Sequence, residues 1–163
     1  MPDVKSVNKK VKEFLCDRFE ATRGAEKNSW IVEYESVTLH LRIREIEWYT
    51  DDWDHTVVVE FSSIILFDVE CTKELFEHIA RTNGDSLFGA IFATASSLTE
   101  EEGYCDIFMN HRLMGNHLTK DELNFSIVAL GVVMEEFRKE YLELFGGTPV
   151  ADVGDIFGEE NDA

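Results

Sequence analysis

Apolar residues recur at three- and four-residue steps near the N-terminus and then at every second position. Over residues 4–23, Val7, Val11, Phe14, Leu15 and Phe19 share one helical stripe, while Lys9, Lys10, Lys12 and Glu13 fall off it. That predicts an amphipathic helix stopped near Gly24. Packing on its own domain is the ordinary use of such a stripe, and docking a partner is the alternative. From Trp30 the period is two: Trp30, Val32 and Tyr34 alternate with Glu33 and Glu35. Val37, Leu39, Leu41 and Ile43 then alternate with Thr38, His40, Arg42 and Arg44, giving a strand with one wet face. Glu35-Ser36 is a weak turn signal, so two strands or one bent strand both fit. Ile46 and Trp48 continue on the opposite parity, which places a bulge or strand end at Arg44-Glu45, before a polar loop over 49–54.

Residues 55–70 read as a long strand with Val57, Val59, Phe61, Ile65, Phe67 and Val69 on one face. Val58, Ile64 and Leu66 make the other face partly apolar, so something must cover it. Thr72 can cap a short helix carrying Leu75, Phe76, Ile79 and Ala80, stopped by Asn83-Gly84. Residues 87–95 are apolar on both faces and read as a central strand. A turn over 96–103 leads to a strand whose inner face is Cys105, Ile107, Met109 and Leu113. Thr119-Lys120-Asp121-Glu122 is a capping box. Leu123, Ile127, Leu130, Met134, Phe137, Tyr141 and Leu144 follow at alternating steps of four and three, up to Gly146-Gly147. A helix lying on a sheet is the expected use of that seam, and a coiled coil is the alternative. The expected fold class is α+β: two layers, an antiparallel sheet with helices, in the order helix, three strands, helix, two strands, helix. Residues 1–147 are expected to form a single domain and 148–163 a flexible acidic tail.

Charge changes this picture. The chain has 163 residues and a formal charge of -18, from 33 acidic and 15 basic residues. Residues 1–27 carry seven Lys/Arg and five Asp/Glu, so the excess acid lies entirely in residues 28–163. Such a balance argues against nucleic acid or an anionic membrane as partner. Cys16, Cys71 and Cys105 show no paired spacing, and no apolar run reaches the ~20 residues of a spanning helix. A cytoplasmic protein with free thiols is the simplest reading.

Candidate chemistry is sparse. Gly84-Asp85-Ser86-Leu87-Phe88-Gly89 lacks the Lys-Ser/Thr of a phosphate loop, and there is no Gly-x-Ser-x-Gly elbow. His40, His55, His78, His111 and His117 form no metal-binding helical pair. His111, His117 and Asp121 could approach one another, yet they read better as surface residues. Asp51-Asp52-Trp53-Asp54 lacks the Gly and closing Glu of a calcium loop. The expectation is therefore no enzyme, no cofactor and no metal.

Other residues carry a resemblance. Phe67-Asp68-Val69, Glu74-Leu75-Phe76-Glu77-His78-Ile79-Ala80 with Asn83, Phe88-Gly89, and above all the run from His111 to Leu123 resemble the YbjN family, a relative of type III secretion chaperones. Phe145-Gly146-Gly147 closes the last helix as is common there. The resemblance spans about residues 30–147, the first helix fitting by position. It implies the element order read above and a non-enzymatic, chaperone-like protein that binds a peptide or protein partner, often as a homodimer. Trp48, Trp53 and the acidic tail depart from the family pattern, so no particular client carries over. On this reading Val11 and Phe14 of the first helix join Val58, Ile64 and Leu66 as the partner-binding surface. Leu75, Phe76 and Ile79 are the expected packing or dimer face. The alternatives are that a homodimer or the chain's own helices bury the apolar sheet face, and that the protein is a regulatory or structural homodimer without a client.

Overall fold

The computed structural model describes residues 3–46, 56–86, 88–99 and 102–150. The loop over 49–54 with Trp48 and Trp53, His55, Leu87 and the tail from 151 onward lie outside the described residues. The fold is α+β, with seven strands and three α-helices among the described residues. Six strands run in the order β1-β2-β3-β4-β6-β5, and β7 pairs with β4. The chain divides into two compact units, residues 1–63 with 110–132 and residues 64–109 with 133–163.

In the first unit, helix α1 (Val4–Cys16) is opened by Asp3, whose Oδ1 accepts the Ser6 N–H at 2.7 Å. Val7, Val11 and Leu15 form its buried stripe. It stops seven residues earlier than the stripe predicts, because Ala21–Arg23 becomes a short strand, β1. β1 satisfies its backbone against β2 (Ser29–Tyr34), with Ala21 opposite Val32. Phe19 is thus off the helix and packs edge-on against Tyr34, ring centres 6.4 Å apart. β2 and β3 (Val37–Ile46) form a tight hairpin in which Tyr34 faces Val37 and Glu35 takes a left-handed φ of 52°. The weak Glu35-Ser36 signal is therefore a two-residue turn. Pairing of β3 with β4 (Thr56–Glu70) runs unbroken through Arg44↔Val58 and Glu45↔Val57, so no bulge sits there. The buried Trp30 indole donates to Asn8 Oδ1 at 2.8 Å, which fixes α1 to the sheet. Helix α3 (Lys120–Phe145) begins with the expected capping box: Thr119 N–H donates to Glu122 Oε2 at 2.8 Å, and Glu122 N–H to Thr119 Oγ1 at 3.2 Å. Leu123, Ile127 and Leu130 turn inward.

The second unit holds the far half of β4, helix α2 (Lys73–Asp85), β5 (Ala90–Ala95), the start of β6 (Tyr104–Met114), the end of α3 and β7 (Thr148–Pro149). Thr72 Oγ1 accepts the Leu75 N–H at 3.1 Å and so caps α2 as expected. Tyr141, fully buried, meets His78 edge-on at 5.0 Å. Burial holds its phenol pKa above the ordinary value. Asp106 is a buried carboxylate that accepts from Asp68 N–H (3.1 Å), Ser97 N–H (2.8 Å) and Ser97 Oγ (2.6 Å). It anchors the strand-to-strand turn and holds Asp68 at its positive φ of 56°. Gly146 and Gly147 end α3 with φ of 72° and 103°. The chain then returns to β4 as β7, with Leu66 opposite Pro149, so the expected tail begins with a paired strand. β5 is not central. It ends the strand order, because the turn after 95 feeds β6 in between.

Gly131 lies against the Tyr34 ring, where any Cβ would collide with ring carbons. Helix propensity favours Ala over Gly by about 1 kcal/mol, yet Gly131→Ala is expected to destabilise the protein by ~1–3 kcal/mol. Urea unfolding should show this loss. Against a Tyr34→Ala background the same Gly131→Ala change should become neutral or favourable.

Candidate functional site

The expected partner surface divides on folding. Val11 and Leu66 have no exposed area and Val58 retains only 3%. These three are core, which corrects the reading of an open apolar sheet face. Val58 shares its face with Glu60, where arginine stems converge from the neighbouring strands, and Leu66 is closed in where β7 pairs. Phe14 and Ile64 stay half-buried. On α2, Leu75 and Ile79 turn into the core, whereas Phe76 is 48% exposed.

The exposed apolar groups of the second unit include a site that periodicity missed. Phe92 on β5 stacks on Phe108 of β6, ring centres 5.5 Å apart and planes 23° from parallel. Phe92 remains 45% exposed. Ser96 N–H donates to Tyr104 O at 3.2 Å, so even-numbered positions of β5 face β6 and odd-numbered ones face outward. At Ile91 the outward groups are taken by one side chain. Asn83 Nδ2 donates to Ile91 O at 2.8 Å, and Ile91 N–H donates to Asn83 Oδ1 at 2.6 Å. That carboxamide imitates a neighbouring strand for a single residue. Ala93 and Ala95, next along the edge, have no such partner among the described residues. The sequence signal was present in Ala-Ile-Phe-Ala-Thr-Ala, which carries none of the charges or prolines that guard an edge.

The first unit carries the strongest electrostatics. Glu60 Oε2 accepts from Arg44 Nε at 2.8 Å, and its Oε1 accepts from Arg112 Nε at 2.7 Å. These guanidiniums hold the Glu60 pKa down at about 2, Arg44 contributing most. The Arg42 guanidinium pairs with Glu26 at 3.0 Å on the same sheet face. The wet face of β3 was legible as alternation, but the convergence of Arg112 on it from β6 was not.

Potential nucleophiles and ligands are unfavourably placed. Cys105 is buried, and burial pushes its thiol up to about 12, with the Cys71 thiol adding to the rise. Burial likewise holds His111 below the ordinary imidazole pKa. Among the described residues no cluster of three or more His, Cys, Asp or Glu could hold a metal ion. No described helix is long and apolar enough to cross a membrane.

No protein-family model matches the chain. No curated protein sequence matches it either. A crystal structure does: YbjN from E. coli, described as a candidate transcription regulator, superposes with a TM-score of 0.60 over 91% of this chain and 97% of that one, at 10% identity. The fold is that of YbjN. At that identity the likeness concerns architecture, and the YbjN-like arrangement of strands and helices agrees with the resemblance seen in the sequence.

Glu60→Gln is expected to cost on the order of 2 kcal/mol at neutral pH, since it leaves two guanidiniums sharing a neutral acceptor. Because the folded-state pKa is depressed, the Glu60 contribution is complete above the unfolded carboxylate value of about 4.5 and is lost as pH falls toward about 2. Chemical unfolding at a series of pH values should show parent and variant converging across that interval.

Proposed function

We propose that this protein is a non-enzymatic binding module that holds an extended segment of a protein partner along β5. One observation carries the reading: a side-chain amide closes the β5 edge at Ile91, and among the described residues the edge beyond it is open beside the stacked Phe92 and Phe108, of which Phe92 is exposed. An added strand would take its backbone bonds from Ala93 and Ala95 and rest an apolar side chain on Phe92 and Phe108. Residues 28–163 hold 28 acidic and eight basic residues, which favours a partner segment that alternates apolar with basic residues. The same charge works against pairing of β5 with a second copy.

A regulatory homodimer without a client is the second reading. It draws on α3, where Phe125 and Val132, two turns apart, are 60% and 47% exposed on the side away from Leu123, Ile127 and Leu130. The description of YbjN as a candidate transcription regulator fits this reading as well.

Ala93→Pro removes an outward N–H without touching the ladder to β6. Fluorescence anisotropy with a labelled peptide of alternating Phe and Lys is expected to show binding that the substitution weakens about tenfold or more. Equal binding by parent and variant would remove β5 as the site. A parent that is dimeric by native mass and binds no such peptide would establish the second reading instead.

A further inference from the structure

The basic residues of this chain are unequally paired. Of the eight that follow position 27, Arg42, Arg44, Lys73, Arg112, Lys120 and Lys139 each meet a carboxylate. Of the seven up to position 27, only Lys9 does among the described residues, at 3.9 Å from Glu13 with both side chains well exposed. An exposed pair at that distance holds its lysine weakly. With 33 acidic residues to 15 basic ones, scarcity of acid does not explain the difference.

Four of these early cations converge. Lys5, Lys9 and Lys12 lie at steps of four and three on one face of α1, along about 10 Å of its length. Arg23 joins them from β1. Its cross-strand neighbour is Trp30, whose indole bonds to Asn8 of α1, so Arg23 stands on the sheet face that carries the helix. Its guanidinium lies 5.8 Å from the centre of the buried Trp30 ring. A hollow of about 600 Å³ opens here, with Lys5, Lys9, Lys12 and Arg23 around it and Asp3 as the one carboxylate among its described lining residues. The Asp3 Oδ1 is already taken by the Ser6 N–H. Among the described residues β1 also ends the strand order. Gly24 N–H donates to Ser29 O at 3.1 Å, so Thr22 and Gly24 face β2 while Ala21 and Arg23 turn their backbone N–H and C=O outward. Neither has a backbone partner on that side among the described residues.

We infer that an extended, acidic segment of a protein partner docks here, adding a strand to β1 and setting its carboxylates on Lys5, Lys9, Lys12 and Arg23. Backbone bonds from Ala21 and Arg23 hold the added strand, and its alternate side chains face α1, where acids fit and bases are repelled. A row of cations about 10 Å long matches several carboxylates spaced along a chain better than one compact anion such as phosphate. Duplex nucleic acid or an anionic bilayer would also bring its charge against the rest of the molecule, where residues 28–163 hold 28 acidic and eight basic residues. A short segment avoids that repulsion. The site lies wholly in the first unit and selects the charge opposite to that expected at β5.

Fluorescence anisotropy of a labelled peptide of alternating Glu and Thr, titrated with the full chain, tests this directly. A neutral Gln-Thr peptide, vesicles of phosphatidylserine with phosphatidylcholine, and a short DNA duplex then compete for the site. The Glu-Thr peptide is expected to bind with a Kd of about 0.1 mM or tighter, and each competitor about tenfold more weakly or worse. Lys9→Ala combined with Lys12→Ala, both at exposed positions, should weaken the peptide about tenfold or more. Ala21→Pro, at the first position of β1, removes an outward N–H and should do the same. In the parent chain, whatever the folding of that variant, the Ala21 and Arg23 amides should gain protection from hydrogen exchange when peptide is bound. The inference fails if the Glu-Thr peptide does not bind at about 1 mM, if either folded variant binds it as the parent does, or if the two amides gain no protection. It fails equally if the Gln-Thr peptide, the vesicles or the DNA bind as tightly, since the cations or the strand edge would then have no part in recognition.

Discussion

Burial of β4 on both of its faces is the constraint from which much of this structure follows. A strand of fifteen residues that is apolar on alternate positions, and carries Val58, Ile64 and Leu66 on the others, cannot be left at a surface. It therefore takes β3 and β6 as neighbours, and β7 closes part of it where β3 has ended. In the first unit a salt-bridged carboxylate stands on its polar face, with an arginine from each adjoining strand reaching over. In the second, the buried Asp106 gathers the backbone of Asp68 and the turn at Ser97. The carboxylates set on or beside this strand, Glu60 and Asp106, arrive with their partners, as the cost of an unpaired charge in such a place requires.

Much of the fold was legible in the sequence because local rules sufficed. Thr72 and Thr119 are helix caps whose hydroxyls act within three residues. The alternation from Val37 to Ile43 and from Val57 to Val69 set two strands and their buried face. What escaped was decided by non-local pairing. β1 exists because Ala21–Arg23 finds an open edge on β2, which periodicity does not encode. Two-sided apolarity reads β5 as a central strand, but position within a sheet depends on strand order, not on composition. The same gap separates the partner surface expected from the sequence from the one described. Val58 and Leu66 are apolar for the sake of the core, and a strand seen in isolation offers no sign of what roofs it.

The excess of acid can now be placed more narrowly. The polar sheet face of the first unit gathers three of the eight basic residues that follow position 27. A strongly acidic protein thus gathers three arginines on one sheet face, around a carboxylate held ionised across the whole physiological range. Net charge governs long-range encounter, whereas such a face sets the potential close to the surface. The two need not select the same molecules.

The Asn83 carboxamide has a further consequence for how β5 can be used. Since it occupies the outward bonds of Ile91, an incoming strand can begin only at Ala93, and its register is decided before it arrives. The strip left to it ends at Ala95, too brief for a long cross-β ladder. Such an edge denies growing aggregates the continuous template they need. A single amide thereby shortens the template that this edge presents.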